Sequence, residues 1–230
     1  MSVTQPKAQP EAEIIYPESD GKPLADNTKQ FRWILYIYTG VASLFKDDPN
    51  VFVAGDLLWY PVEGDNKTRT APDVMVAFGR PKGDRPSYKQ WEEDNIPPQV
   101  VFEVLSPGNR LSELIEKFLF YQRFGVEEYY VYDPDTGRLD GWIREGNELR
   151  PIENMEGWVS PRSGIRFMTR GSDLVLIRPD GLPFVNPEEL ESLLTEAQKR
   201  AEEAETRAQE AEARAERLAQ KLRDLGVEPE

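Results

Sequence analysis

One uninterrupted stretch, Val101 to Pro134, reads "VFEVLSPGNRLSELIEKFLFYQRFGVEEYYVYDP", and it constrains the fold more than any other part of the chain. An apolar run with Glu103 in its middle predicts a strand, and Pro107-Gly108-Asn109 ends it. Leu111, Leu114, Ile115, Phe118, Leu119 and Tyr121 then recur at helical spacing up to Phe124, and Gly125 sits where a C-cap glycine belongs. "VEEYYVYDP" returns as a strand. Strand, helix, strand at this spacing predicts a crossover unit in a mixed sheet, hence an α+β (α/β-like) domain with helices flanking the sheet.

The rest of the chain is consistent with such a domain over residues 14–185. From Thr28 to about Phe45, Phe31, Ile34, Leu35, Tyr38, Ala42 and Phe45 predict a helix whose last turn Gly40 weakens. "NVFVAGDLLWYPVEG" predicts a strand pair or one bent strand, and "TRTAPDVMVAFG" a strand from about Asp73 to Phe78. The polar run "RPKGDRPSYKQWEEDNIPP" reads as a long loop. "GRLDGWIREGNELRPI" and "GIRFMTRGSDLVLIRPDG" read as hairpins turning near Gly146 and Gly171. Residues 1–13 are polar and expected to be disordered. Residues 186–226 form a separate element: Leu190, Leu194, Ala197, Ala201, Ala204, Ala208, Ala211, Ala215, Leu218, Leu222 and Leu225 alternate four and three apart, and 227–230 is a short tail. This seam suits a coiled-coil-like helix, open to three readings: a solvated single helix, a homodimer through residues 190–225, or packing against the domain. Its alanine layers bury little area.

The side-chain inventory narrows the chemistry. The 230 residues include no cysteine and no histidine. Disulfides, thiolate zinc sites, cysteine nucleophiles and imidazole bases are therefore excluded. A metal site must use oxygen ligands, which suits Mg²⁺ or Mn²⁺. The net charge of −14 opposes unspecific coating of DNA, although bound cations invert the field locally. No signal core and no run of about 18 apolar residues is seen, so a cytoplasmic protein without membrane contact is expected.

Within this frame two carboxylates and a lysine stand out. Asp73 follows Pro72 at a strand start. Glu103 shares a strand with Phe102 and Val104, which point to the opposite face. A strand carboxylate must be partnered, at an edge, or metal-bound. Two carboxylates on neighbouring strands can share a divalent cation, with the Val104 carbonyl as a further oxygen. Lys117 lies four residues after Glu113, and the plain reading of that pair is a surface bridge worth about 0.3–0.5 kcal/mol. Glu103 taken alone reads as a half-buried sheet carboxylate paired to an arginine sooner than as a catalytic group.

Taken together, "YPESDGKPLADNTKQ", "DLLWYPVEG", "APDVMVAFG", "RPSYKQW", "PPQVVFEVLSPGNR" and "KFLFYQRFGVEEYYVYDP" resemble the Uma2-like family of endonucleases over most of residues 16–185. That family belongs to the PD-(D/E)XK nuclease superfamily and has the restriction-endonuclease-like fold. The resemblance implies that Asp73 and Glu103 bind metal. It also implies that Lys117, preceded by the acidic Glu113, replaces the superfamily lysine whose usual place is Leu105. Gln30 stands where related members carry a histidine, and it can hydrogen-bond but cannot act as a base. Asp20 and Asp56 are further acids without an assignment.

The function implied is Mg²⁺- or Mn²⁺-dependent hydrolysis of phosphodiester bonds in DNA, with Lys117 giving electrostatic help. Arg80, Lys82, Arg85, Lys89 and Arg110 are candidate DNA-backbone contacts, the first four from the long loop. Tyr88 and Trp91 are candidates for base stacking or for anchoring that loop. The competing readings are a catalytically inactive nuclease-like domain serving as a coiled-coil-mediated interaction module, and a site for a phosphate ligand other than DNA.

Overall fold

Val100–Val104 is buried along its whole length, and the elements around it cover its two faces. The structure, a computed structural model, describes residues 14–21, 23–171 and 173–224. The expectations for residues 1–13 and 227–230, and the last seam position Leu225, lie outside the described residues. In chain order the elements are α1 (Thr28–Leu44), β1 (Val51–Ala54), β2 (Trp59–Tyr60), β3 (Val74–Phe78), β4 (Tyr88–Lys89), a 3₁₀ turn (Gln90–Glu92) and β5 (Val100–Val104). There follow α2 (Leu111–Phe124), β6 (Glu128–Asp133), β7 (Arg138–Glu145), β8 (Glu148–Pro151), β9 (Arg166–Arg170), β10 (Asp173–Ile177) and α3 (Pro187–Asp224).

Six strands form one sheet in the order β1-β3-β5-β6-β7-β8. Within this sheet, among the described residues, only β5 and β6 run parallel, joined through α2 as the crossover pattern predicts; the other pairs are antiparallel. Alternation along the strands sorts side chains into two cores. On one face Val74, Val76, Val100, Phe102, Val104, Tyr130 and Tyr132 pack with Ile34, Ile37 and Val41 of α1 and with Phe167, Leu174 and Leu176 of the β9–β10 hairpin. On the other, Met75, Ala77, Val101, Tyr129 and Val131 pack with Trp59, Tyr88 and Tyr121, and with Phe118, Phe120 and Phe124 of α2.

Three readings of the sequence need refinement. β1 and β2 neither pair with each other nor form one bent strand: β1 joins the main sheet, while β2 pairs in parallel with β4. The chain leaves the sheet at Asp56, which is left-handed (φ 49°) and donates its N–H to the Pro72 carbonyl at 3.0 Å. The polar run after Phe78 is braced: buried Tyr88 donates its hydroxyl to Ile96 O, and Glu93 accepts from both Arg80 and Arg85. On α2, Leu111, Ile115 and Leu119 are exposed, so its buried face is narrower than the periodicity suggests.

Gly40 does not end α1. The ring of Phe184 lies against it, with Cδ2 at 2.0 Å from where a Cβ would stand. Glycine is therefore retained inside the helix to admit a ring. Gly40→Ala is expected to lower stability by about 1–3 kcal/mol through overpacking, despite alanine's better helix propensity. A chemical denaturation midpoint equal to or above that of the unaltered protein would sink this account.

The chain divides into two units, 1–184 and 185–230. The second is α3, which carries exposed Leu190, Leu194 and Leu218 along its seam and an Arg200–Glu196 ion pair one turn apart. No helix among the described residues is long and apolar enough to cross a membrane.

Candidate active site

The sheet register brings the two carboxylates together. β3 and β5 are antiparallel with Val74 opposite Phe102, so one further step places Asp73 opposite Glu103. Residues directly across an antiparallel pair point to the same face. That face is the one α2 covers, because Glu103 alternates with Val101 and Asp73 with Met75. α2 in turn is held at its ends. The Glu113 carboxylate accepts the Arg110 N–H at 3.2 Å, and Gly125 closes the C-terminus at φ 95°. Arg144 donates to the carbonyls of Tyr121, Gln122 and Val126, the last of them just beyond the helix.

Lys117 and Tyr121, one helical turn apart on α2, both reach Glu103. Lys117 Nζ lies 2.6 Å from Glu103 Oε2 and also donates to the Ala71 carbonyl at 3.3 Å. The Tyr121 hydroxyl donates to Glu103 Oε1. Thus the lysine's partner is the strand glutamate, and Glu113 serves the helix N-terminus instead. Glu103 is almost fully buried, whereas about 30% of the Lys117 side chain remains accessible. Asp73 accepts the Val104 N–H at 2.6 Å, and the Val104 carbonyl accepts the amide of buried Gln30 at 2.8 Å. Gln30 Oε1 in turn accepts the Asp26 N–H. A neutral amide therefore ties α1 to Val104, the residue whose N–H orients Asp73.

The electrostatics follow from this crowding. Burial first, then the neighbouring Glu103, push the Asp73 carboxyl well above the usual carboxylate range. Burial opposes the charge on Lys117, but Glu103 and Asp73 outweigh it and hold the ammonium above its ordinary value. Asp56, also drawn into the site, is raised by burial and by Asp20. These groups line a cleft of about 720 Å³ whose walls, among the described residues, carry seven carboxylates and three cations. Among the described residues, no three acidic side chains are grouped closely enough to hold a metal ion alone. Two facing carboxylates still match Mg²⁺, which commonly takes one or two protein carboxylates and fills its remaining positions with water and substrate oxygens. The Val104 carbonyl already accepts one hydrogen bond and keeps one lone pair.

The candidate DNA contacts fall elsewhere. Arg80 and Arg85 are spent on Glu93, and Arg85 also lies over the Phe52 ring at 3.9 Å. Lys82 donates to the carbonyls of Phe45 and Lys46, and Lys89 pairs with Glu92. Tyr88 is a buried anchor, and Trp91 packs on Tyr16. Arg110 is the N-cap residue of α2, on the helix that walls the cleft. Tyr121 was the missed member of the site. Its signal was its position four residues after Lys117, where a tyrosine on an apolar helix face reads as core.

No curated protein matches the chain. Among solved structures, a nuclease described as "putative" and belonging to DUF820, from Anabaena variabilis, is similar at 17% identity with a TM-score of 0.45. The similarity spans 61% of this chain and 74% of that one. A family model described as "Putative restriction endonuclease" matches residues 15–167, a span that contains every residue of the Asp73–Glu103–Lys117 cluster, and the chain belongs to that family, Uma2.

Proposed function

We propose that the chain is a divalent-metal-dependent endonuclease that hydrolyses phosphodiester bonds in DNA. The observation that supports it most is Asp73 opposite Glu103, with the Lys117 ammonium 2.6 Å from Glu103, in a cleft rich in carboxylates. Such a cleft repels a phosphodiester unless cations enter it. Asp73 and Glu103 would hold Mg²⁺ or Mn²⁺. When bound, the ion would lower the pKa of an attacking water and offset charge on the phosphate.

The chain's own groups do the remaining work. Tyr121 fixes the Glu103 carboxylate, and the Val104 N–H, steadied by Gln30, fixes that of Asp73. Lys117 stays protonated near neutral pH, so it acts as a fixed positive charge toward the scissile phosphate and not as a base. Water oxygen bonds to phosphorus and gives up one proton to solvent, the ester P–O bond breaks, and the leaving oxygen takes a proton from solvent.

The test is cleavage of supercoiled plasmid with Mg²⁺ or Mn²⁺, against the same reaction in chelator and with Glu103→Gln. Nicking that requires the metal and is lost in the folded variant supports the reading. A folded wild type that cuts no DNA under any divalent metal overturns it, and favours the inactive interaction module.

α3 supports a second component of that proposal. Its exposed seam leucines are the kind that a second copy covers. Pairing through 190–225 would present two sites to a duplex. Sedimentation of the full chain beside one ending at residue 184 measures it: a dimer only in the former is expected.

A further inference from the structure

Resting on that reading, we propose that Lys67 and Arg69 form the DNA-backbone subsite beside the candidate cleavage centre. They take the phosphates that flank the scissile one. The segment 67–71 lines the cleft together with Asp73 and Glu103, and its last residue, Ala71, accepts a hydrogen bond from Lys117. It thus runs from the cleft wall directly to the carboxylates.

The segment is built in advance of any ligand. Asp65 Oδ1 accepts the N–H groups of Lys67 and Thr68, fixing the turn. Thr70 exchanges backbone hydrogen bonds with buried Trp59. Arg69 uses only one end of its guanidinium. Nη1 donates to the Tyr60 hydroxyl at 3.3 Å and to the Asn66 carbonyl at 3.1 Å. Tyr60 is buried and donates its own proton to the Pro17 carbonyl, so toward Arg69 it can only accept.

Both anchors are neutral, and Nε and Nη2 of Arg69 have no partner among the described residues. Those two nitrogens form the edge that grips a phosphate bidentately. The contrast with Arg80 and Arg85 is direct: they share Glu93, and Arg80 also pairs with Asp94, whereas Arg69 is held in place and makes no ion pair among the described residues. Lys67 is exposed and makes no ion pair among the described residues. An anchored arginine and an exposed lysine, neither in an ion pair among the described residues, stand beside a carboxylate-rich wall, where they are available to a polyanion that arrives with cations.

Fluorescence anisotropy of a short fluorescein-labelled DNA duplex, with Ca²⁺ present and Mg²⁺ withheld, across a salt series, tests this. Lys67→Ala and Arg69→Ala should each weaken binding about tenfold and reduce the log–log salt slope by about 0.9, the value for one lost phosphate contact. Arg69→Lys should keep the slope but bind more weakly, because the fork is lost. Lys46→Ala, a surface cation away from the cleft, should change neither. If Arg69→Ala does not fold, exposed Lys67 carries the test. Wild-type affinity and slope in Lys67→Ala, beside a wild type that cleaves DNA, overturn the subsite and leave the nuclease reading intact. A wild type that neither binds nor cleaves the duplex overturns both.

Discussion

Asp73→Asn is expected to abolish cleavage and, in the metal-free protein at neutral pH, to raise the melting temperature. Burial, and then Glu103 across the strand pair, hold the Asp73 carboxyl well above its ordinary value of 3.8. A carboxyl with a raised folded-state pKa binds its proton more tightly in the folded chain than in the unfolded one. Stability therefore falls as pH climbs from the unfolded value to the folded one, and the penalty is complete above that window. Asparagine removes the charge and keeps an oxygen for the Val104 N–H. Its advantage should be present at neutral pH and disappear as pH falls below the unfolded carboxyl value. Each kcal/mol gained corresponds to about 2–4 °C in a chain of this size.

Mg²⁺ should reverse the order. Wild type gains about 2.7 kcal/mol at a hundred times its Kd, and the variant, lacking one ligand, gains far less. Melting curves at neutral and acid pH, with and without Mg²⁺, measure all of this. A variant that melts below wild type at neutral pH without metal, or a wild type indifferent to Mg²⁺, defeats the assignment.

What the sequence disclosed depends on how local the cause is. α2 and its ends were legible because helical periodicity and a C-cap glycine are written in consecutive residues, and β5 and β6 follow from their apolar runs. Asp73 and Glu103 were legible as residue types. Their sharing of a site came from the family resemblance, while the register that sets them directly opposite each other did not show, because it depends on antiparallel pairing between strands about thirty residues apart. Lys117 shows the limit most clearly. Its local spacing offers Glu113, yet its partner is on a strand, because α2 lies across the face that Glu103 occupies.

In the basic loop the sequence hides a pairing: Arg80 and Arg85 stand out as free cations in one dimension, but Glu93, eight residues beyond Arg85, folds back between them. Arg69 was invisible for the same reason. Its anchoring on Tyr60, itself tied to Pro17, is set by the fold and not by spacing along the chain.

Lys117→Met is expected to damage stability and turnover together, and a second substitution should separate the two. Removing the ammonium leaves Glu103, only 4% exposed, with the Tyr121 hydroxyl as its remaining side-chain partner among the described residues. Breaking a buried pair from one side costs roughly 3 kcal/mol, the low end of the usual range here because Lys117 keeps access to the cleft. Loss of a fixed charge aimed at a developing phosphate charge costs about 10²–10³ in rate. The double variant Glu103→Gln with Lys117→Met should recover most of the stability, since a neutral amide can still accept from Tyr121 and Asp73 loses a repelling and an attracting neighbour together. It should remain inactive, because the missing ligand and cation are needed by the reaction and not by the fold. Denaturant titrations and plasmid nicking on the same preparations provide both readouts. A loss below about 0.5 kcal/mol for Lys117→Met would make the pair energetically a surface bridge of the kind an i,i+4 spacing offers. Near-normal nicking by that variant would remove the ammonium from the reaction altogether.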